Sequence, residues 1–384
     1  MAPNNNSQTL KAQKNKQKRG KIDIVFLSLV LVLLTIGLIM LFSASYAYSY
    51  TYYGNSYKFI VRQAALGAVG VAIMLVLSKI DYHIYRKFAW PIFFGSLALL
   101  VILLILPPMI SGMDVKRWII IGPINFQPTE IAKFAIVLLF SHLIAANQKQ
   151  MGNIKMILFL FALLGLTCVL VVLEPHLSAT VLIFCIGVLL LIIGGMKWIH
   201  LGAFAGIGVG GVILALITGV VGYGSDRIKY WLDPWADPMG KGYQTIQSLL
   251  AIGSGGIMGR GLGKSRQKYL WVPEPHNDFI FSIVCEELGI IGAVIIILLF
   301  CALIWRGFTI AIKAKDKFGC LMAVGLTFQV GLQAILNILV VTNTIPNTGI
   351  SLPFFSYGGT ALVLLLAQMG ILLSISRDAN VQKM

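Results

Sequence analysis

Long apolar segments recur along the chain and are separated by short polar stretches. A helix of about 20 apolar residues crosses the hydrocarbon core of a bilayer, and one soluble core could not bury so many such helices. The pattern therefore predicts an all-α integral membrane protein, a polytopic bundle of about ten transmembrane helices. The predicted spans are roughly 24–44, 60–78, 90–108, 128–146, 156–173, 178–195, 199–222, 278–305, 319–342 and 359–376.

The distribution of Lys and Arg gives the bundle an orientation. Residues 1–22 are polar and Lys-rich, which predicts a disordered cytoplasmic tail. Cytoplasmic connections carry an excess of Lys and Arg, and 18 of the 30 basic residues lie in the tails and in every second connection of this chain. The long loop 223–277 is also basic and opposes this trend, but long loops translocate largely regardless of charge, and its basic residues suggest an anionic ligand outside. Both termini are then cytoplasmic, which requires an even number of spans. The membrane domain covers 23–378, its one long extracytoplasmic loop is about 223–277, and 379–384 form a short cytoplasmic tail.

Composition supports the membrane assignment and limits the partners. Hydrophobic residues make up 58% of the chain and charged residues 11%, against about 25% charged in soluble domains. The net charge of +16 would suggest nucleic acid in a soluble protein, but no nucleic-acid-binding motif is present. Here Lys and Arg set topology and meet anionic lipid, so we expect no nucleic-acid partner. Most of the 14 acidic residues lie outside the cytoplasmic segments, which points to polar chemistry on the outer half.

The most informative segment is Pro-Glu-Pro-His-Asn-Asp-Phe-Ile-Phe at 273–281. It places Glu274, His276 and Asp278 where the long loop meets an apolar helix. Asp278 is either a cap or first-turn acid favoured by the helix dipole, or a half-shielded carboxylate that takes a proton from a hydroxyl group. Burial would raise its pKa, whereas the helix N-terminus and nearby cations would lower it.

The same predicted helix carries further acidic residues. Asp278, Ser282 and Glu286 are four residues apart and are predicted to share one helical face. Glu286 and Glu287 lie well inside the apolar span, where ionisable groups are expensive and face the bundle interior. Structural pairing and a functional role are both open for these two residues.

A second cluster spans 116–133 and comprises Lys116, Arg117, Trp118, Gln127, Glu130 and Lys133. Glu130 and Lys133 have the spacing of a helical ion pair. Arg117 beside Trp118 suits an anionic head group at the membrane interface. The cluster therefore either anchors the chain at the interface or binds substrate.

A third cluster is Leu-Pro-Phe-Phe-Ser-Tyr-Gly-Gly at 352–359, where an outer loop enters the last helix. Its glycine pair and aromatic residues predict a packed re-entrant turn. Ser356 and Tyr357 could instead line a cavity.

The glycine run between Gly253 and Gly263 predicts tight, irregular backbone near the membrane surface. Backbone amides in such a run could also cradle a phosphate. The histidines show no zinc-site spacing, so no protein ligand set for a metal is readable.

Together these stretches resemble the SEDS family (shape, elongation, division and sporulation), the FtsW/RodA/SpoVE group. The matching stretches are 116–120, 127–133, 233–263, 267–281, 286–289 and 346–359, in the order of the family. Details such as Tyr243-Gln244 and Gln267-Lys268 are most similar to the FtsW/SpoVE branch. One departure is Glu174-Pro-His176, where many members have Gln-Pro-Asp.

The resemblance implies a ten-helix fold and peptidoglycan glycosyltransferase activity on lipid II, the undecaprenyl-pyrophosphate-linked disaccharide pentapeptide. It implies a class B penicillin-binding protein and other division-complex membrane proteins as partners. It also implies the bacterial plasma membrane at the division septum as the location, with a role in division or sporulation.

The resemblance further implies that Asp278 is the catalytic residue, a general base on the 4-hydroxyl of the acceptor GlcNAc. Undecaprenyl pyrophosphate then leaves with inversion, and cations must stabilise it. A divalent cation, Mg²⁺ or Mn²⁺, could share that work. The expected substrate-binding residues are Lys116, Arg117, Trp118, Gln127, Glu130, Lys133, Lys264, Gln267, Lys268, Glu274, His276 and Ser356.

Two other function classes fit parts of the sequence. A lipid II flippase or transporter would predict a midplane substrate path and broken helices in paired halves. Glu174, Glu286 and Glu287 keep that alternative open, although no repeat is visible. A non-enzymatic scaffold for division proteins is the second alternative.

Overall fold

The computed structural model of the chain describes residues 20–106, 117–121, 124–174, 176–197, 199–200, 202 and 228–379. Nearly all regular structure in these ranges is helical. The main helices are α1 Ile24–Tyr53, α2 Lys58–Leu77, α3 Ala89–Ile105, α4 Pro128–Ala146, α5 Ile154–Leu173, α6 Leu177–Gly194, α7 Tyr243–Gly255, α8 Ile280–Ile312, α9 Lys317–Val341 and α10 Gly359–Asp378. Strands β1 Ile119–Ile121 and β2 Ile124–Phe126 form an antiparallel hairpin in which Ile119 lies opposite Phe126.

Nine helices in the described ranges are long and apolar enough to cross a membrane. They coincide with nine of the ten predicted spans, and α7 is not among them. The remaining predicted span, 199–222, lies almost entirely outside the described residues, as do residues 1–19 of the predicted tail and 380–384. A tenth span therefore stays a prediction.

Local sequence signals explain where the helices begin and end. The Asp23 carboxylate accepts a hydrogen bond from Phe26 N at 2.9 Å and caps α1, which ends at the left-handed Gly54. Asp316 caps α9 in the same way through Gly319 N. Pro128 occupies the first turn of α4, where its missing N–H costs nothing.

Both described ends of the bundle lie at the same face, here called the terminal face. Asp23 N donates to Ser376 Oγ at 3.1 Å, and Arg306 Nε donates to Asp23 Oδ2 at 2.8 Å. The start of α1 and the end of α10 are thus adjacent, in agreement with the even number of spans that the sequence predicts. The opposite end of the bundle is called the site face.

Helix α8 is broken at Gly289, which has φ 68° and ψ −170°. The segment 256–261 pairs with the backbone on both sides of the break. Ile290 N donates to Gly256 O at 3.0 Å, and Gly261 N donates to Glu287 O at 3.0 Å. Irregular backbone at this depth is tolerated only where the protein itself satisfies it. The sequence predicts the span but not this break.

The long connection before α8 contains more structure than the predicted loop. Helix α7, Tyr243–Gly255, lies within it and packs against α8. Irregular backbone is predicted for the glycine run from Gly253 to Gly263, and that is wrong for Gly253 and Gly255, which lie in α7. From Gly256 onward the backbone is irregular, as predicted, and it pairs with the backbone around the break at Gly289.

We expect Gly289→Ala to destabilise the protein by at least about 2 kcal/mol, because a side chain is strained at this φ. A Cβ there would lie 2.3 Å from Gly259 N and 2.5 Å from Ile257 O. The matched control is Gly253→Ala in α7, where a Cβ would meet nothing within 4 Å. Thermal unfolding in detergent should show a lower midpoint for Gly289→Ala alone. Equal midpoints for the two variants would contradict the structural role of the break.

Candidate functional site

A cavity of about 520 Å³ opens at the site face. Its walls come from the end of α1, the start of α2, the residues around the hairpin, the start of α4, the 274–278 segment and the 349–359 loop. It also reaches Gln329 of α9, about 18 Å below the end of that helix at 1.5 Å per residue. All of these connections are predicted to be extracytoplasmic, so the structure brings the predicted outer segments to one site.

Asp278 lies in the wall of this cavity and is partly exposed to it. Burial raises the pKa of the Asp278 carboxyl to about 6, with a further upward contribution from Glu274. Its own backbone amide and Arg117 act in the opposite direction. The sequence leaves open whether burial or nearby positive charge dominates the pKa of Asp278, and in the structure burial has the larger effect.

Asp278 is not part of the helix that follows it. Helix α8 begins at Ile280, and Phe279 is its N-cap residue. The prediction that Asp278, Ser282 and Glu286 share a helical face is therefore wrong for Asp278. Asp278 precedes the N-cap residue, so the prediction that it is a cap or first-turn acid of this helix is wrong.

His276 packs among aromatic rings at the rim of the same cavity. Its ring centroid lies 4.4 Å from that of Phe59, 4.8 Å from Tyr48 and 5.9 Å from Tyr357. Burial lowers the pKa of His276 to about 4, so the ring is neutral at physiological pH. Glu274, the other predicted residue of this segment, also lines the cavity and is more exposed.

Two arginines bring positive charge to the cavity. Arg117, which precedes β1, lines it together with Trp118. Whether the two residues bind substrate or anchor the chain stays a prediction. Arg62 of α2 also lines it and was not predicted. Burial raises the pKa of Tyr357, and the charge of Arg62 and its hydrogen bond to Tyr357 lower that pKa. A lone basic residue inside the apolar span 60–78 was the signal that could have identified Arg62, because such residues mark functional sites.

The predicted residues of α4 divide between the cavity wall and the bundle interior. Gln127 and Glu130 line the cavity. Lys133, only 2% exposed, donates to Glu130 Oε1 at 2.8 Å and to Gln333 Oε1 at 3.2 Å. Gln333 in turn donates to Ser351 O at 3.1 Å. Lys133 therefore contributes to the cavity through Glu130 and Gln333.

Ser356 lines the cavity but uses its hydroxyl within the protein. Its Oγ donates to Asn277 O at 2.7 Å and accepts from Leu352 N at 2.7 Å. Phe354 and Phe355 of the same loop are buried, and Phe354 O lies against Gly37 in the middle of α1. The 352–359 segment is thus the packed re-entrant turn that the sequence predicts, and it is also a wall of the cavity.

Glu286 and Glu287 form a separate buried cluster with the loop that follows α7. Backbone amides of Gly263 and Ser265 donate to Glu287, and those of Arg266 and Gln267 donate to Glu286. The glycine-run loop therefore cradles the carboxylates of the protein itself. Structural pairing is what the structure shows for both glutamates.

Lys264 and Lys268, two further predicted cations, do not line the cavity. Lys268, 3% exposed, donates to Glu287 Oε1 at 3.0 Å and to Ser43 Oγ at 3.1 Å. Lys264 is exposed and Gln267 partly exposed, and neither lines the cavity. Their contribution to substrate binding stays a prediction, and Lys116 lies outside the described residues.

Glu174 is a fully buried carboxylate at the end of α5. Neither of its oxygens has a hydrogen-bond partner among the described residues. Burial raises the pKa of Glu174 to about 8, and Arg117 opposes that rise. His176, two residues further on, lines the cavity.

Among the described residues, one trio has the spacing of a metal site: Asp81, His83 and Asp378. It lies at the terminal face, where α10 ends, and not at the cavity. The carboxylates of Glu274 and Asp278 do not form such a trio with a third ligand in the described ranges. We therefore assign no metal ligands to the cavity.

Lys268→Met should leave Glu287 buried without its ion-pair partner and cost about 3 to about 5 kcal/mol. Adding Glu287→Gln should recover part of that loss, as expected for residues in direct contact. Thermal unfolding of the two single variants and the double variant measures this coupling. Additive effects, or a Lys268→Met protein that unfolds normally but binds substrate more weakly, would instead favour the predicted substrate role.

Comparison with known proteins agrees with this architecture. Residues 24–381 match the cell cycle protein family of FtsW, RodA and SpoVE. The "Probable peptidoglycan glycosyltransferase FtsW" of Geobacter sp. (strain M18) is 36% identical over 327 residues, which are 84% of this chain and 88% of that protein. Stage V sporulation protein E of Bacillus subtilis (strain 168) is 36% identical over 326 residues, 85% of this chain and 88% of that protein.

Solved structures give the same result for the fold. A chain of a peptidoglycan synthase complex that coordinates polymerization and crosslinking has a TM-score of 0.74 at 28% identity, covering 93% of this chain and 98% of that one. The rod shape determining protein RodA of Thermus thermophilus has a TM-score of 0.69 at 25% identity, covering 94% and 98%. The chain is a multi-pass membrane protein and belongs to the FtsW, RodA and SpoVE family of cell cycle proteins.

Proposed function

We propose that this protein is a peptidoglycan glycosyltransferase that transfers the glycan of lipid II onto the 4-hydroxyl of an acceptor GlcNAc. The observation that carries the proposal is the Asp278 carboxylate, whose pKa of about 6 is suited to a base, in the wall of a cavity that also holds two arginines. The names of the FtsW relatives and the peptidoglycan synthase complex support the same reaction class.

In the proposed reaction, Asp278 takes the proton of the acceptor 4-hydroxyl. The acceptor oxygen forms a bond to the anomeric carbon of the donor MurNAc, and the bond from that carbon to the pyrophosphate oxygen breaks. Undecaprenyl pyrophosphate leaves with the electron pair, and the configuration at the anomeric carbon inverts. Asp278 then returns the proton to solvent. At neutral pH a carboxyl with a pKa of about 6 is mostly ionised and ready to act as the base.

The leaving pyrophosphate requires positive charge that is already in place. Arg117 and Arg62 line the cavity and are the residues that we propose for this role. Trp118 and Gln127 complete the wall beside Arg117. The buried Lys133 holds Glu130 and Gln333 in place, so its proposed role is to shape the site.

The partner and location follow from the same proposal. The crosslinking function of the related synthase complex supports a class B penicillin-binding protein as the partner. Similarity to FtsW and to stage V sporulation protein E supports a division or sporulation role, with the division septum as the proposed location. With both termini in the cytoplasm, the cavity faces the outer leaflet, where the donor glycan is presented.

We expect Asp278→Asn to fold normally and to polymerise fluorescent lipid II at least about 100-fold more slowly, because general-base assistance contributes about 10² to about 10⁴ in rate. The matched control is Asp237→Asn, which removes a carboxylate from the same long connection but outside the cavity. Purified protein, with and without the penicillin-binding protein, is assayed for glycan length on gels.

The same assay separates the three function classes. Glycan product from the wild type and Asp237→Asn, but not from Asp278→Asn, supports the proposal. Exchange of lipid II between leaflets without polymerisation would indicate a transporter. Neither reaction, with the partner present, would indicate a scaffold. An Asp278→Asn protein that polymerises at the normal rate would refute the catalytic assignment.

The polymerisation rate should increase with pH through about 6 and then reach a plateau. The ionised Asp278 is the active form, and burial raises its pKa to about 6, so protonation removes the base below that pH. Initial rates are measured over a pH range that spans this value, and the midpoint is compared with the ordinary Asp value of 3.8. A midpoint near the ordinary value would contradict the burial described for Asp278.

A further inference from the structure

Asn337 lies one turn before the end of α9 and is fully buried behind the cavity wall. Its Nδ2 donates to Asp278 O and to Ile350 O, both at 2.6 Å. A side-chain amide has two N–H donors, and both are used here. One side chain thus ties the Asp278 backbone and the 349–351 loop to the same transmembrane helix.

The loop held by Asn337 lies against the Asp278 carboxylate itself. Gly349 has φ 68°, and a Cβ at that position would lie 3.6 Å from Asp278 Oδ2. Two further bonds connect the same segments: Tyr357 N donates to His276 O at 2.9 Å, and Ser356 Oγ donates to Asn277 O at 2.7 Å. These two bonds join one loop to the other, whereas the Asn337 amide joins both loops to α9.

We propose that Asn337 is a positioning residue whose amide keeps the Asp278 carboxylate at the cavity wall, shielded by the 349–351 loop from bulk water. This role rests on the proposed function of Asp278 as the base. Without the amide, the Asp278 and Ile350 carbonyls lose a shared donor, and buried carbonyls without a partner recruit water. Water beside Asp278 would favour its ionised form and lower its pKa, since burial is the main cause of its present value.

The Asn337 amide donates to Asp278 O and Ile350 O and not to the side chains of the other titratable groups that line the cavity with Asp278. They come from every wall of the cavity and are Arg62, Arg117, Glu130, Glu274, His176, His276, Tyr48, Tyr53 and Tyr357. A change in the pKa of Asp278 in an Asn337 variant therefore reports the loss of the two Asn337 hydrogen bonds and the entry of water beside Asp278.

The test uses Asn337→Leu, which keeps the branching of the side chain at Cγ and removes both donors, with Asn337→Ala as the smaller second variant that introduces no added bulk. Full-length protein in detergent is treated with dicyclohexylcarbodiimide, which reacts with protonated carboxyl groups. Mass spectrometry of the Asp278 peptide then gives the labelling midpoint as a function of pH. Asp278→Asn identifies the labelled site.

The matched control is Ser248→Ala. Ser248 is also fully buried and donates to a backbone carbonyl at the end of α9, Val341 O at 2.9 Å, but it does not contact the Asp278 segment. We expect the labelling midpoint to fall by at least about one pH unit in the Asn337 variants and to stay unchanged in Ser248→Ala. Polymerisation should show kcat reduced by about 10-fold to about 100-fold with a KM close to that of the wild type.

An unchanged labelling midpoint in both Asn337 variants would overturn the inference, whatever their turnover. Failure of both variants to give folded protein would also overturn it, since Asn337 would then serve the fold alone. The labelling measurement does not depend on turnover. If the wild-type protein makes no glycan with its partner present while the labelling midpoint still shifts in the Asn337 variants, the proposed function is refuted and the positioning of Asp278 stays supported.

Discussion

Backbone groups freed inside a membrane bundle must find partners within the protein, and the break of α8 at Gly289 frees several of them. The segment 256–261 satisfies them, and the loop that follows closes over the carboxylates of Glu286 and Glu287. Lys268 completes this cluster from the same loop. This cluster holds the chain on one side of the Asp278 segment and the start of α8 at Ile280 holds it on the other, and Asp278 between them lies in the cavity wall.

The cavity combines groups that a membrane bundle tolerates only at its aqueous edge. Burial and Glu274 raise the pKa of Asp278, while Arg117 lowers it, and the balance leaves a carboxyl that titrates near neutrality. His276 is kept neutral by the aromatic rings around it, and Lys133 is already paired with Glu130. Among the residues that the structure describes, Arg62 and Arg117 therefore supply the positive charge that lines the cavity.

Several residues that are chemically alike serve different purposes because of where the fold places them. Lys268 and Arg117 are both predicted to meet the substrate, yet Lys268 neutralises Glu287 inside the bundle. Ser356 lines the cavity while its hydroxyl joins two loops. Glu286 and Asp278, predicted to share a face, are separated because α8 begins only after Asp278. None of these differences is visible in residue type or spacing.

The sequence by itself determined nine of the ten predicted membrane spans and the choice of Asp278 as the residue of interest, and it predicted that the polar segments lie on one side. These properties are local: a run of apolar residues is long enough to cross a bilayer whatever it packs against. Tertiary structure alone decided the break at Gly289, the recruitment of Arg62 and the clamp of Asn337 on Asp278 and Ile350. Each depends on contacts between residues far apart in the chain, and the burial that sets the pKa of Asp278 exists only when those contacts form.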